Sequence, residues 1–209
     1  MTYVLYGEDG SGSGIVEMAL VAIGAPHEVR KVALGADQQR AAAYASINPQ
    51  RKLPTLVTPV GETLTESAAI LLVLDERHPH ARLLPPTGSA ERAQALRWLL
   101  FVATELYPLV EINDYPARFA PTPESAPAMQ EVARRIWRER WLVVERAIEG
   151  SPWLAASGFS FVDVYIATVS RWAQQGEWRK EHLPKIERIA SAVSEREPIA
   201  SIWRRHRGL

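Results

Sequence analysis

The sequence contains no cysteine among its 209 residues. This absence excludes disulfide bonds, zinc–cysteine sites, iron–sulfur clusters and a catalytic cysteine, so any thiol chemistry must use a thiol from another molecule. An excess of one charge is also lacking, because 24 Lys and Arg residues balance 24 Asp and Glu residues. The balance disfavours nucleic acid or an anionic membrane surface as the main partner.

Long apolar runs are missing as well. No uncharged stretch approaches the roughly 20 residues that span a bilayer, and the N-terminus lacks a basic region followed by an apolar run. We therefore expect a cytoplasmic protein. Hydrophobic residues make up 47% and charged residues 23% of the chain, which is typical of globular proteins.

The hydrophobic pattern changes along the chain. Up to about residue 78, short apolar runs alternate with helical patterns, whereas the remainder reads as long helices separated by proline-rich breaks. This change predicts two domains, residues 1–78 and residues 89–209, joined by a linker at residues 79–88. The second domain is expected to be all-helical.

The first region predicts a mixed four-stranded sheet covered by helices. Its order is strand, helix, strand, helix, two strands and helix, with a parallel pair first and an antiparallel hairpin afterwards. The predicted strands are Tyr3–Tyr6, His27–Val32, Leu53–Val57 and Gly61–Leu64, and the predicted helices are Ile15–Ile23, Asp37–Ala45 and Ser67–Arg77.

In the second region, the segment Phe161–Val169 is apolar around most of its circumference, which predicts a central buried helix. Ser160 and Asp163 have the spacing of a capping box, so we interpret Asp163 as structural rather than catalytic. An earlier helix, beginning after Ser89, should be interrupted at Pro108.

A glycine-rich loop, Gly10–Gly14, separates the first strand from the first helix. It lacks the Lys-Ser/Thr ending of a P-loop and the spacing of a dinucleotide-binding loop. It offers instead two hydroxyls, Ser11 and Ser13, which beside a helix N-terminus can donate hydrogen bonds to an anion such as a thiolate. The alternative is that one of them only caps the helix.

A proline at the start of a predicted strand is the second feature. If the Leu53–Pro54 bond is cis, the amide and carbonyl of Leu53 turn outward, where an extended peptide-like ligand can pair with both. The sequence alone favours an ordinary trans proline, because only about 5% of such bonds are cis in folded proteins.

The third feature is the junction between the last strand and its helix. The Ser67 hydroxyl and the first helical amides can hold a carboxylate, and Glu66 can take an ammonium group. The alternative is simple capping by Thr65 or Ser67. Together the three features predict a pocket for a ligand with a thiol, a peptide backbone and an amino-acid head.

With these motifs in this order, the chain resembles the cytosolic glutathione transferases over essentially its full length. The resemblance implies a thioredoxin-like N-terminal domain followed by an all-helical C-terminal domain, and a homodimer. It rests on four segments: the loop Tyr6–Ser13, the motif Asn48-Pro49-x-x-Lys52-Leu53-Pro54, the pair Glu66-Ser67, and the box Ser160-x-x-Asp163.

The resemblance also implies roles for the pocket residues. Leu53, before a cis Pro54, would hydrogen-bond the cysteinyl backbone of glutathione; Glu66 and Ser67 would bind its γ-glutamyl head, and Lys52 would face its glycyl carboxylate. The first loop is closest to bacterial and fungal members, which puts Ser11 at the activating hydroxyl and Ser13, the second choice, where they have an asparagine. Arg51 replaces the usual glycine and either adds a cation at the glycyl end or crowds it.

The function implied is a detoxifying glutathione transferase that uses glutathione as co-substrate, without a metal. It would lower the pKa of the glutathione thiol through a serine hydroxyl and join the thiolate to a small hydrophobic electrophile. Tyr107, Tyr115 and Trp172 would line the electrophile side or, alternatively, belong to the helical core. The competing hypotheses are a non-catalytic binding or regulatory protein of the same fold, and a glutathione-dependent isomerase or disulfide reductase.

Overall fold

The computed structural model describes residues 2–173 and 176–207, except the side chain of Arg207. Contacts divide these residues into two units. The first contains the described residues up to Leu83 together with those from Val193 onward, and the second runs from Leu84 to Ala192. The second unit thus begins within the predicted linker, and the C-terminal helix, which the sequence analysis assigned to the helical domain, groups with the first unit.

A mixed four-stranded sheet with the strand order β2-β1-β3-β4 forms the centre of the first unit. As predicted, β1 pairs with β2 in parallel, and β1–β3 and β3–β4 are antiparallel. The elements of this unit are β1 (Tyr3–Gly7), α1 (Ser13–Ala22), β2 (His27–Lys31), α2 (Ala42–Ala45), β3 (Thr55–Val57), β4 (Thr63–Thr65), α3 (Ser67–Arg77) and α10 (Ala200–Arg207).

The predicted helix Asp37–Ala45 is wrong in its first half. Two 3₁₀ turns occupy residues 34–40, and only the four-residue α2 is α-helical. Asp37 has a left-handed φ of 53°, and Ala41 is extended with a ψ of 146°. Neither conformation can continue an α-helix, so the helix begins only after Ala41.

The core of the first unit lies between the sheet and its helices. Leu5 and Leu56, on neighbouring strands, are fully buried. Helix α1 contacts β1, α3 and α10, and its residues from Ser13 to Leu20 are all buried. Helix α3 buries Ile70 but leaves Ala69 exposed, so it has one solvent-facing side although its sequence is apolar nearly all round.

The second unit is helical, as predicted. Helices α4 and α5 are joined by a π-helical turn, Val102–Leu106, which ends two residues before Pro108; the helix is therefore interrupted next to that proline, as predicted. Ser89 caps α4 by accepting the N–H of Arg92 at 3.1 Å. The helices are α4 (Ala90–Phe101), α5 (Tyr107–Asp114), α6 (Ala126–Ala147), α7 (Phe161–Val169), α8 (Gly176–His182) and α9 (Pro184–Glu195), the last of which contains the boundary between the units.

Helix α7 is the buried central helix that the sequence predicts, since all nine of its residues are buried. Its capping box is present: Asp163 accepts the N–H of Ser160 at 2.8 Å, and its other oxygen accepts the N–H of Leu154 at 2.7 Å. Burial raises the pKa of Asp163 to about 6, against the opposing effect of these hydrogen bonds. Both oxygens are occupied by backbone amides, which confirms the structural interpretation.

Within the described ranges, every helix is either too short or too polar to traverse a lipid bilayer.

Candidate functional site

The predicted site residues of the first unit gather at one end of the sheet. Tyr6 on β1 lies opposite Thr55 on β3, and Thr55 lies opposite Thr65 on β4. The glycine-rich loop that follows β1, the Leu53–Pro54 segment that precedes β3 and the Glu66–Ser67 pair that follows β4 therefore share this end. Because neighbouring strands lie about 4.8 Å apart, the three segments span about 10 Å.

The glycines of the loop place its two serines. Gly10 has a left-handed φ of 82°, which glycine adopts without steric cost. A Cβ on Gly7 would lie 2.4 Å from the Ser13 hydroxyl oxygen, so only glycine at this position leaves room for the Ser13 side chain. The loop consequently folds back on the end of β1.

The two serine hydroxyls differ in burial and bonding. Ser13 is 1% exposed; its oxygen accepts the N–H of Glu8 at 3.1 Å, and its hydroxyl lies 3.1 Å from the Glu8 carbonyl. Ser11 is half-buried, and its hydroxyl donates to the same carbonyl at 2.7 Å. The two hydroxyl oxygens are 2.8 Å apart. Ser13 thus holds the loop together, whereas Ser11 retains access to solvent.

Helix capping accounts for only part of these contacts. The Ser11 oxygen accepts the N–H of Ser13 at 3.2 Å, which is a local serine turn. The cap position itself is Gly12, which has no side chain to cap α1. Ser11 therefore stands beside the positive end of the α1 dipole.

The Leu53–Pro54 peptide bond is cis, as the family resemblance implies and against the trans bond that the sequence alone favours. Side chains of Tyr44 and Asn48 hydrogen-bond the residues on both sides of this bond, Lys52 and Thr55. Tyr44 donates its hydroxyl to the Lys52 carbonyl at 2.7 Å and lies 2.8 Å from the Thr55 hydroxyl. Asn48 donates to the same two oxygens at 2.9 and 3.0 Å.

Leu53 itself differs from its anchored neighbours. Among the described residues, neither its backbone N–H nor its carbonyl has a hydrogen-bond partner. The residue is half-buried and lies at the end of the sheet, just before β3. An unpaired backbone donor and acceptor on one residue can pair with an extended peptide, as they would with an added strand.

Two cations precede this segment. Arg51 and Lys52 are both exposed. Arg51 has a left-handed φ of 56° and donates its N–H to the Asn48 carbonyl at 2.9 Å. Arg51 thus has a backbone conformation that favours glycine, although it carries a positive side chain.

The third segment is the start of α3. Glu66 occupies the cap position with φ 61° and ψ 105°, and makes no side-chain hydrogen bond to the first turn. Its side chain is exposed, whereas Ser67 is 5% exposed. The amides of Ala68 and Ala69 have no partner within the helix by its geometry. A carboxylate beside these amides would meet the positive end of the helix dipole.

The sequence analysis assigned no role to Tyr44, Asn48 or Thr55. Asn48 and Thr55 are nearly fully buried, and together with the Tyr44 hydroxyl they hold the backbone around the cis bond. In the sequence these residues appear only as polar side chains near a strand-starting proline. The sequence does not show that Tyr44 and Asn48 contact the same two oxygens, those of the Lys52 carbonyl and the Thr55 hydroxyl.

The aromatic residues of the second unit form part of a cavity there. Tyr115 and Trp172 line a cavity of about 430 Å³, and Arg134 and Arg171 lie on its wall. Tyr107 meets Trp172 edge-on, with ring centroids 4.9 Å apart. Asp114 lies on the wall as well, so the cavity combines aromatic rings with charged groups of both signs and is not purely apolar.

Comparison with known proteins gives concordant matches. Residues 13–77 match the family model described as the N-terminal domain of glutathione S-transferase. The GST-like protein YncG of Escherichia coli K12 is 30% identical over 207 residues, covering 97% of each chain. Glutathione S-transferase GstA of Escherichia coli O157:H7 is 30% identical over 157 residues, covering 73% of each. A glutathione transferase homologue from Sulfitobacter, solved with bound glutathione, superposes with a TM-score of 0.88 at 23% identity, covering 96% of each chain.

Proposed function

Because the chain belongs to the glutathione S-transferase family, we propose that it binds glutathione at the sheet end described above and activates the thiol through the Ser11 hydroxyl. The thiolate then attacks a small hydrophobic electrophile. The observation that carries this proposal is that two features lie at the same end of the sheet: the accessible hydroxyl of Ser11 and the backbone N–H and carbonyl of Leu53, which have no hydrogen-bond partner among the described residues.

The binding part of the proposal uses all three segments. The cysteinyl residue of glutathione pairs with the N–H and carbonyl of Leu53, as an added strand does. The γ-glutamyl head lies at Glu66 and Ser67, where a carboxylate meets the α3 amides and an ammonium group meets the Glu66 carboxylate. Lys52 and Arg51 face the glycyl carboxylate. An extended tripeptide is about 10 Å long, similar to the span of the three segments.

Ser11 is preferred to Ser13 because of burial and hydrogen bonding. Ser13 lies beneath the loop, and its oxygen already accepts the Glu8 amide. When Ser11 turns its proton from the Glu8 carbonyl to a thiolate, that carbonyl keeps the N–H of Ser11 itself, at 3.1 Å. Ser13 can then donate to the Ser11 oxygen across 2.8 Å. A chain of this kind strengthens the terminal donor.

The energy needed is modest. A free thiol has a pKa of about 8.5, so only a few per cent is thiolate at neutral pH. Lowering the pKa by about 2 units corresponds to about 2.7 kcal/mol. One charge-assisted hydrogen bond supplies about 1.5 to 3 kcal/mol, and the N-terminus of α1 adds up to about 1 kcal/mol. In the reaction, the sulfur lone pair forms a carbon–sulfur bond as the leaving group departs with its bonding electron pair or, in an addition to a double bond, as the π electrons pass to the neighbouring atom, which takes a proton from solvent. No protein side chain becomes covalently modified.

Titration of bound glutathione tests this proposal. We expect Ser11→Ala to raise the pKa of the bound thiol by about 1 to 2 units, because the thiolate loses its charged hydrogen bond, while the dissociation constant for glutathione changes less than about threefold. Ser11→Thr, which keeps a hydroxyl, should retain most of the effect. The thiolate is followed by its ultraviolet absorbance, and affinity by calorimetry.

Each outcome has a clear meaning. An unchanged thiol pKa in Ser11→Ala removes Ser11 from the mechanism. Failure of the wild-type protein to bind glutathione overturns the whole function. Binding with no lowering of the thiol pKa and no turnover of any electrophile would instead identify a non-catalytic binding protein. Products from a disulfide or from a cis–trans isomerisable substrate would identify the reductase or the isomerase.

The proposal includes a homodimer, as the family resemblance implies. Sedimentation equilibrium tests it, and a mass of one chain at micromolar concentration would contradict it.

A further inference from the structure

The C-terminal helix reaches the glycine-rich loop. Arg205 and His206 on α10 contact Asp9 and Gly10, the two residues directly before Ser11. His206 accepts the N–H of Gly10 at its Nδ1 atom, at 3.2 Å. Arg205 donates from Nε to the Asp9 carboxylate at 3.1 Å. The loop is thus held by side chains of α10 as well as by its own serines.

Glu17 on α1 holds these two side chains in place. The Glu17 carboxylate accepts His206 Nε2 at 3.1 Å and forms an ion pair with Arg205. The side chains of Glu17 and His206 are only 4% and 3% exposed. Burial would raise the pKa of Glu17, but the hydrogen bonds from His206 and Arg205 outweigh it and hold that pKa below its usual value.

These partners determine the tautomer of His206. The Gly10 N–H can only donate, so Nδ1 must carry a lone pair. The ring proton is therefore on Nε2, from which it is donated to the ionised Glu17 carboxylate. His206 thus connects the buried Glu17 carboxylate to the backbone of the loop.

The close approach of α1 and α10 is an independent observation. A Cβ on Gly14 would lie 2.6 Å from His206 Nδ1 and 2.8 Å from its Cγ. Only glycine at this position lets the imidazole reach the Gly10 amide. Gly14, which has no side chain, and His206, which supplies the Nδ1 acceptor, are therefore both needed for the hydrogen bond from the Gly10 N–H.

We propose that His206 is a positioning residue for Ser11, acting through the hydrogen bond from the Gly10 N–H to its Nδ1 atom. This inference rests on the proposed function. Gly10 is covalently joined to Ser11, so loss of the bond lets the loop turn at the flexible Gly10 and moves the Ser11 hydroxyl away from the thiolate. Misplacement of a reacting group by about 1 Å can cost about 100-fold in rate.

Two isosteric substitutions separate the two bonds of His206. The side-chain oxygen of asparagine can lie near the Nδ1 position, and the side-chain nitrogen of glutamine near the Nε2 position. His206→Asn therefore keeps the acceptor for Gly10 and loses the donor to Glu17, whereas His206→Gln does the reverse. His80→Gln is the matched control, because His80 is exposed and lies outside this cluster.

We expect His206→Gln to raise the pKa of the bound glutathione thiol by about 1 unit and to lower kcat about tenfold, with the dissociation constant for glutathione changed less than about threefold. His206→Asn should retain most of the wild-type thiol pKa, and His80→Gln all of it. Melting temperatures establish that the variants are folded. A purely structural role would make the thiol pKa follow stability instead of the Nδ1 acceptor.

The inference is overturned if folded His206→Gln titrates like the wild type, or if both His206 variants raise the thiol pKa equally. If His206→Gln does not fold, hydrogen exchange of the wild-type protein decides: a Gly10 amide that exchanges as fast as an unprotected one overturns the bond. These outcomes differ from failure of the proposed function, in which the wild-type protein itself does not lower the thiol pKa.

Discussion

Replacing Gly14 by alanine is expected to lower the free energy of unfolding by about 1 to 3 kcal/mol. The added Cβ would lie 2.6 Å from His206 Nδ1, closer than atoms in a folded protein approach without displacement. His206 is buried between Gly10 and Glu17 and cannot move without losing one of these bonds. Alanine is normally the better helix former, so a loss of stability here is the opposite of the general trend.

The size of this stability loss follows from two destabilising contributions and one that opposes them. Overpacking a well-packed site costs about 1 to 3 kcal/mol, and a lost buried hydrogen bond costs about 1 kcal/mol. The helix propensity of alanine offsets up to about 1 kcal/mol of this. Urea unfolding, followed by the ellipticity of the helices, measures the difference. Gly176→Ala is the matched control, because Gly176 begins α8 and no described atom lies within 4 Å of its added Cβ; it should not lose stability.

A double-mutant cycle with His206→Ala locates the clash. The double variant should be more stable than the sum of the two single effects predicts, by about 1 to 3 kcal/mol, because removal of the imidazole makes room for the new methyl group. The reasoning fails if Gly14→Ala is as stable as the wild type, or if the coupling energy is close to zero.

Two further predictions concern Asp163 and Arg51. Burial raises the pKa of Asp163 to about 6 from 3.8, so protonation of Asp163 stabilises the folded state, fully below about pH 4 and progressively less as the pH rises through 6. Relative to Asp163→Asn, the wild type should lose about 3 kcal/mol of unfolding free energy over that range. A pH-independent difference in urea titrations would contradict this. Arg51→Gly relieves a left-handed φ of 56° and should raise the unfolding free energy by up to about 1 kcal/mol, while calorimetry should show glutathione bound a few times more weakly and less salt-dependently; unchanged affinity would exclude Arg51 from the binding site.

Much of the fold was predictable because it depends on local patterns. The order of strands and helices follows from apolar spacing, and the predicted helix Ser67–Arg77 agrees with the structure in both bounds. The capping box at Ser160 and Asp163 is also a local pattern. The helix predicted from Asp37 failed because a left-handed residue leaves little trace in the sequence, where aspartate is equally common in first turns.

The site was predictable only in part. The family resemblance ranks Ser11 before Ser13, but the physical difference between the two hydroxyls appears only in the structure, where Gly7 lets the chain fold back over Ser13. The contacts on either side of the Leu53–Pro54 bond come from Tyr44 and Asn48, which are separate in the sequence but converge on the same two oxygens. His206 lies 196 positions from Gly10, and no local pattern connects them.

The grouping of the C-terminal helix with the first unit has a consequence for how this protein is made. During synthesis the strands and helices of the first 80 or so residues leave the ribosome early, yet His206, which binds the Glu17 carboxylate, is added 189 positions after it. Until then the Glu17 carboxylate, which is buried in the native protein, must stay hydrated, so α1 cannot pack completely. Expression of residues 1–83 alone would therefore yield a weakened domain, and supplying α10 as a separate peptide should restore it.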